Sequence, residues 1–191
     1  LKKLINISIL NRNGIKISKL AQLNDEQVNQ QVIDLTRKQL HTSQHIESML
    51  VAMLDFDENK FDKVLNNAIL SFGFEDTFAT VIQPLLERIG YLWQTSTILP
   101  SHEHFVSQLI KQKIIVAIDN CPAVPHHDPK SFFLFLPEGE YHELSILFSH
   151  YLIRKHGHNS IYLGQSVPFA DITALLPKYQ PAYILYSTTT V

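Results

Sequence analysis

At residue 131 the apolar residues of this chain change their period, and that change limits the fold more than any other feature. Before it, apolar side chains recur at helical spacing. After it, short continuous apolar runs alternate with helical stretches. Between the two lies CPAVPHHDPK (121–130), with three prolines, two histidines and no periodicity, which reads as a linker. The pattern predicts a helical bundle followed by an α/β domain.

Within the first part, Asn24 followed by Gln27 is a capping-box signal, and Val28, Val32 and Leu35 share one helical face. A second helix is expected over about Ser43 to Leu54, with Ile46, Met49, Leu50 and Met53 as its stripe. Asp57 can cap a third, carrying Phe61, Val64, Leu65, Ala68, Ile69 and Phe72 and stopped by Gly73. A fourth runs from about Glu75 to Trp93 with Pro84 as a kink, and a fifth from about His102 to Asp119. The bundle is thus expected over 24–120. Ahead of it, LKKLINISILNRNGIKISKLAQL (1–23) reads as a helix, a tight turn at Asn13-Gly14 and a short second helix. That piece is too small to bury a core alone. With no Met at position 1, it reads as the tail of something longer.

In the second part, Ser131 to Leu136, Ser160 to Leu163 and Ala182 to Tyr186 are strand-like. Helical spacing through Leu144, Leu147, Phe148, Tyr151 and Leu152, and again from Phe169 to Leu176, separates them. Strands alternating with helices across short turns imply parallel βαβαβ, because parallel strands need crossovers. Strands apolar on both faces suit a sheet covered by helices. A doubly wound sheet normally has more strands than three, so 131–191 reads as a truncated one.

Composition narrows the function classes. The 191 residues carry 16 Lys+Arg against 18 Asp+Glu, a net charge of -2, which argues against a chain devoted to gripping phosphate backbones. One cysteine, Cys121, excludes an internal disulfide and any cysteine metal cluster. No apolar run approaches the ~18 residues of a membrane span, and no signal peptide is visible. Ten histidines are a surplus that needs explaining.

Three places could carry chemistry. Glu140-Tyr141-His142-Glu143 follows the first strand and opens its helix, where open α/β sheets bind ligands. A carboxylate two residues from an imidazole can take one ring N–H and leave the other nitrogen for a metal, a role Glu140 fits for His142. The competing reading is a solvated helix N-terminus, where Glu is favoured by the dipole. Trp93, Glu103 and His104 form the spacing W-x9-E-H, which a helical hairpin would bring to one end of the bundle. Each alone is as readily a packing or surface residue. Ser187-Thr188-Thr189 ends the third strand and could line a pocket for a polar tail. His41 and His45 form an i, i+4 pair without further ligands, and His126-His127 could attract adventitious metal.

Taken together, these spacings resemble one family. The cobalamin-binding domains of corrinoid proteins share D-x-H-x-x-G, then about 41 residues, then S-x-L and a later Gly-Gly. Here Glu140-x-His142-x-x-Ser145 is followed by 41 residues and then Ser187-x-Thr189. The helical block with W-x9-E-H looks like the cobalamin cap of MerR-type transcription regulators that sense light through adenosylcobalamin, the CarH group. The opening stretch is similar to the end of a MerR winged-helix DNA-binding domain. The departures are Glu140 for Asp, Ser145 for Gly and Thr189 for Leu, and no Gly-Gly occurs up to Val191.

The resemblance implies a helical cap followed by a flavodoxin/Rossmann-like parallel sheet. It implies His142 as the lower axial cobalt ligand, Glu140 orienting it, and Ser187 lining the pocket for the displaced nucleotide tail. Trp93 would cover the upper face beside Glu103 and His104, with His104 a possible upper ligand after loss of the adenosyl group. Glu143 would belong to the same cofactor site. It further implies a cytoplasmic, non-enzymatic photoreceptor that forms homo-oligomers and binds promoter DNA through a mostly absent N-terminal domain. Two rivals stand beside this: a corrinoid carrier of a methyltransferase system, and a cofactor-free regulator acting through protein partners.

Overall fold

The computed structural model describes residues 2–122 and 130–189, which divide into two compact units, 1–98 and 99–191. The first unit is helical. Helix α1 (Lys2–Arg12) and the single turn α2 (Ile17–Leu20) pack through Leu10 and Leu20 onto Val28 near the start of α3 (Asp25–Leu54). The opening stretch therefore shares its core with the helix that follows it. The expected helix, tight turn and short helix are all present. Asn24 caps α3 as its spacing indicated: its side chain accepts from the Gln27 amide at 2.8 Å, and Gln27 returns the bond at 3.0 Å.

Where two helices were expected between Asn24 and Leu54, the structure has one of 30 residues. No Gly or Pro interrupts that span, and its Thr36 hydroxyl donates back to the Val32 carbonyl at 2.8 Å instead of competing with the helix. His45 Nδ1 likewise bonds the His41 carbonyl at 2.7 Å, so that nitrogen is turned to the helix backbone rather than to a ligand shared with His41.

Helix α4 (Glu58–Phe72) begins on the Asp57 side chain, which accepts from the Lys60 amide at 2.9 Å, and Gly73 ends it. It packs along α3, and Phe61, Leu65 and Ala68 of α4 are buried, as are Met49 and Met53 of α3. The expected fourth helix is a composite: α5 (Phe74–Thr77), a π turn (Phe78–Ile82) and α6 (Gln83–Gln94). Pro84 stands in the first turn of α6, where its missing N–H is tolerated, and the wide turn just before it absorbs the misfit. A change of helix type thus replaces the kink.

The second unit opens with α7 (Pro100–Asp119), which packs on α8 (Leu144–Lys155). This is the fifth helix expected from the sequence, and it falls in the second unit. Its apolar residues Val106, Leu109, Ile110 and Ile114 are buried. Most of the 121–130 linker, including His126 and His127, lies outside the described residues.

Strands β1 (Ser131–Phe135), β2 (Asn159–Tyr162) and β3 (Tyr183–Tyr186) form a parallel sheet of order β2-β1-β3, crossed over by α8 and by α9 (Phe169–Tyr179). This is the βαβαβ unit that the alternation predicts. Period two divides β1 between two cores. Leu134 and Leu136 face Ile146 of α8, and Phe133 and Phe135 face Ile172 of α9. Only this central strand meets the expectation of burial on both faces. The four residues of β3, at the sheet edge, are exposed, although Tyr183 stacks on Phe132 at 4.9 Å. Among the described residues no helix is long and apolar enough to cross a membrane.

Leu134 is fully buried at the centre of this unit. Leu134→Ala is expected to lower the unfolding free energy by about 2–5 kcal/mol, measured by denaturant titration.

Candidate functional site

Strand order 2-1-3 places a topological switch point at the carboxyl end of β1, because the first crossover puts β2 on one side of it and the second puts β3 on the other. The segment emerging there is Pro137 to Glu143. Gly139 turns it at φ +85, a conformation that a Cβ would strain even though space around it is open. The segment after β2 braces it. The Gly139 amide donates to Ser166 Oγ at 3.1 Å, the Ser166 amide to the Glu140 carbonyl at 3.1 Å, and Pro137 pairs with Val167 as a one-residue extension of the sheet.

Glu140 is the centre of this site. It is 5% exposed, and both of its carboxylate oxygens are saturated. Oε1 accepts the amides of Tyr141 and His142, each at 2.9 Å, and His142 Nδ1–H at 2.6 Å. Oε2 accepts the Thr189 amide at 2.6 Å and the Thr189 hydroxyl at 2.8 Å. The backbone N–H of His142, then that of Thr189, hold its carboxyl well below the usual carboxylate range, although burial opposes them.

That charge state fixes the histidine. An ionised carboxylate only accepts, so the proton of a neutral His142 ring sits on Nδ1 and the lone pair on Nε2. Thr189 Oγ1, 3.0 Å from Nδ1, gives its own proton to Glu140 and reinforces the same tautomer. The His142 side chain is 70% exposed, and Nε2 has no protein partner among the described residues. The product is an oriented imidazole offering one lone pair at the mouth of a parallel sheet. Among the described residues no group of three or more His, Cys, Asp or Glu converges. A single imidazole suits a metal that arrives with most of its ligands already attached.

Glu143 faces the other way. It is 7% exposed and is held by the Tyr162 hydroxyl at 2.6 Å, by Gln165 Nε2 at 2.7 Å and by an ion pair with Lys111 of α7. Burial, followed by this carboxylate, raises the Tyr162 phenol above its ordinary range and keeps it a donor. Ser187, just past β3, is half-buried. Ser145 lies in the first turn of α8, with its carbonyl accepting from Ser149 Oγ at 2.9 Å.

The residues of the W-x9-E-H spacing divide between the units. Trp93, near the end of α6, is 54% exposed in the first. Glu103 and His104 stand in the first turn of α7 in the second, where Glu103 accepts from Ser107 Oγ at 2.7 Å and its other oxygen is 3.5 Å from His104 Nδ1. The structure therefore joins Glu140 to His142 and Glu103 to His104. It also brings in Thr189, which the sequence marks as a possible pocket lining after the third strand and as a departure from a leucine, and Lys111 and Gln165, which no local pattern marks.

Residues 45–117 match the family described as the B12 binding domain. The sequence is also CarH-like. Over 149 residues it is 29% identical to the HTH-type transcriptional repressor CarH of Myxococcus xanthus, a stretch covering 78% of this chain and 48% of that protein. The chain thus spans about half the length of that curated relative. Among solved structures it is similar to the methanol:cobalamin methyltransferase complex MtaBC of Methanosarcina barkeri, with TM-score 0.40 and 20% identity over 77% of this chain and 58% of that one. It is also similar to a cobalamin-binding protein of Desulfitobacterium hafniense DCB-2, with TM-score 0.34 and 16% identity over 76% of this chain and 69% of that one. Neither superposition is close enough to bear on function. The B12 binding domain match runs from the second half of α3 to the end of α7 and so includes Trp93, Glu103 and His104; the His142 site lies beyond it.

Glu140→Gln keeps the shape but replaces one accepting oxygen with a donor facing donors. It is expected to destabilise the cofactor-free protein by about 1–3 kcal/mol at neutral pH. Because the folded carboxyl titrates below its unfolded value of about 4.3, this contribution is complete above that pH and declines as pH falls below it. Unfolding midpoints of the two proteins are therefore expected to converge under acid.

Proposed function

We propose that this chain is the cobalamin-binding, light-responsive sensor region of a MerR-family DNA-binding transcriptional regulator. The observation that carries the reading is His142, its Nδ1–H held by Glu140 and its Nε2 free at the switch point. Likeness to a transcriptional repressor and the B12 binding domain match favour the same conclusion.

His142 is the residue that would hold the cobalt, in place of the cofactor's own base. Charge drawn from the ring by a metal makes Nδ1–H more acidic, and the adjacent Glu140 carboxylate offsets it, so the ligand and its partner strengthen together. Ser187 is suited to line the pocket for the displaced nucleotide tail. Glu103 and His104 would offer the cofactor a carboxylate and an imidazole, and Trp93 would offer it an exposed indole. Bound adenosylcobalamin supplies a weak, light-labile cobalt–carbon bond. The protein's part is to make contacts that depend on the upper group, so that losing it shifts the population between two arrangements. In a homo-oligomeric regulator such a shift changes avidity for spaced promoter half-sites. Residues 1–23 fit the end of the winged-helix domain that would make the DNA contact. This function is sensing, with no catalysed reaction.

Adenosylcobalamin mixed with the protein in the dark is expected to co-elute on gel filtration, and green light is expected to change both absorption spectrum and elution volume. His142→Ala is expected to lose the cofactor or to retain it with its own base coordinated. No retained colour in the wild type contradicts the proposal. Retained colour with no response to light removes the photoreceptor claim and favours a corrinoid carrier.

A further inference from the structure

The carboxylate next to His142 does work of a different kind. Glu143 is buried, and it faces donors from three elements: Tyr162 at the end of β2, Gln165 in the following loop and Lys111 in α7. The Gln165 amide nitrogen also donates to the Tyr141 carbonyl at 2.8 Å. One side chain thereby grips the residues on both sides of His142. The backbone carrying the imidazole is fixed by this clamp, in addition to the bonds at Glu140.

Of the three donors to Glu143, only Lys111 carries a positive charge. A buried carboxylate served solely by neutral donors pays heavily in desolvation, and its simplest relief is to swing into water. Doing so would break the bonds from Gln165 and Tyr162 and release Tyr141 to Glu143. The ammonium of Lys111 holds the carboxylate inside. Lys111 also lies seven residues after His104, two turns along the same helical face of α7. The helix that carries His104 is therefore pinned to the loop that carries His142.

We propose that Lys111 is a positioning residue for His142: through Glu143 and Gln165 it sets the direction of Nε2, and it couples α7 to the ligand loop. This rests on the cobalamin reading for its purpose, but the clamp is testable without the cofactor. In the full chain, amide hydrogen exchange of residues 137–145 is compared among wild type, Lys111→Met, Lys111→Arg and Gln165→Leu. Lys111→Met is expected to speed exchange of the loop about tenfold while β1 and α4 keep their protection, and Lys111→Arg is expected to restore most of it. Gln165→Leu removes the grip from the loop side and is expected to free the same amides, which keeps the test open should Lys111→Met fold poorly. Hydroxocobalamin affinity of Lys111→Met is expected to fall about tenfold, the low end for groups that support a metal-ligating histidine, with partial loss of the histidine-ligated spectrum. Loop exchange unchanged in Lys111→Met or in Gln165→Leu overturns the proposal, as does failure of Lys111→Arg to recover it. Should wild type take up no hydroxocobalamin, the cofactor reading falls, and the exchange data still decide the clamp.

Discussion

Everything at the mouth of the sheet depends on the five donors converging on the Glu140 carboxylate. Two come from the residues that follow it, one from the His142 ring and two from Thr189 past β3. A carboxylate so saturated stays ionised, and an ionised carboxylate leaves the imidazole one tautomer. The same bonds join the segment after β1 to the segment after β3. The chemistry of the site and the closure of the sheet end are therefore one set of interactions. A change that loosens either one disturbs the other.

Architecture explains why this set can form. Parallel order β2-β1-β3 sends the segments after all three strands to the same edge, with the most buried strand in the middle. Leu134 and Leu136 fix β1 on α8, while Phe133 and Phe135 fix it on α9. The segment from Pro137 onward thus starts from a rigid point. Gly139 turns it, Ser166 braces the turn, and Glu143 anchors its far end beneath α7. The His142 ring is left facing outward, with Glu140 and Glu143 on either side of it buried.

Much of this was legible in the sequence, and the limits have physical causes. The caps at Asn24 and Asp57, the stop at Gly73 and the three strands depend on neighbours within a few residues, and all appear as read. The Glu140–His142 pairing is equally local, two residues apart along the chain. The 30-residue α3 was read as two helices because its polar middle lacks an apolar stripe, although nothing there breaks a helix. The π turn before Pro84 has no sequence mark except the proline itself. Thr189 reaches Glu140 across 49 positions and Lys111 reaches Glu143 across two elements; contacts of that kind exist only once the fold does. Grouping of α7 with α8 is of the same kind, since its apolar stripe shows a face to bury but not which partner buries it.

The central claim is that His142, and no base belonging to the cofactor, is the nitrogen beneath the cobalt. Electron paramagnetic resonance of the protein loaded with cob(II)alamin tests it directly, comparing ordinary protein with protein labelled by 15N-histidine. One axial 14N nucleus splits each cobalt line into three, and one 15N nucleus splits it into two. The account predicts triplets in ordinary protein that become doublets on labelling and that are absent or unaffected by the label in His142→Ala. Triplets that persist in the labelled wild-type protein would show that the cofactor keeps its own base and would contradict the account.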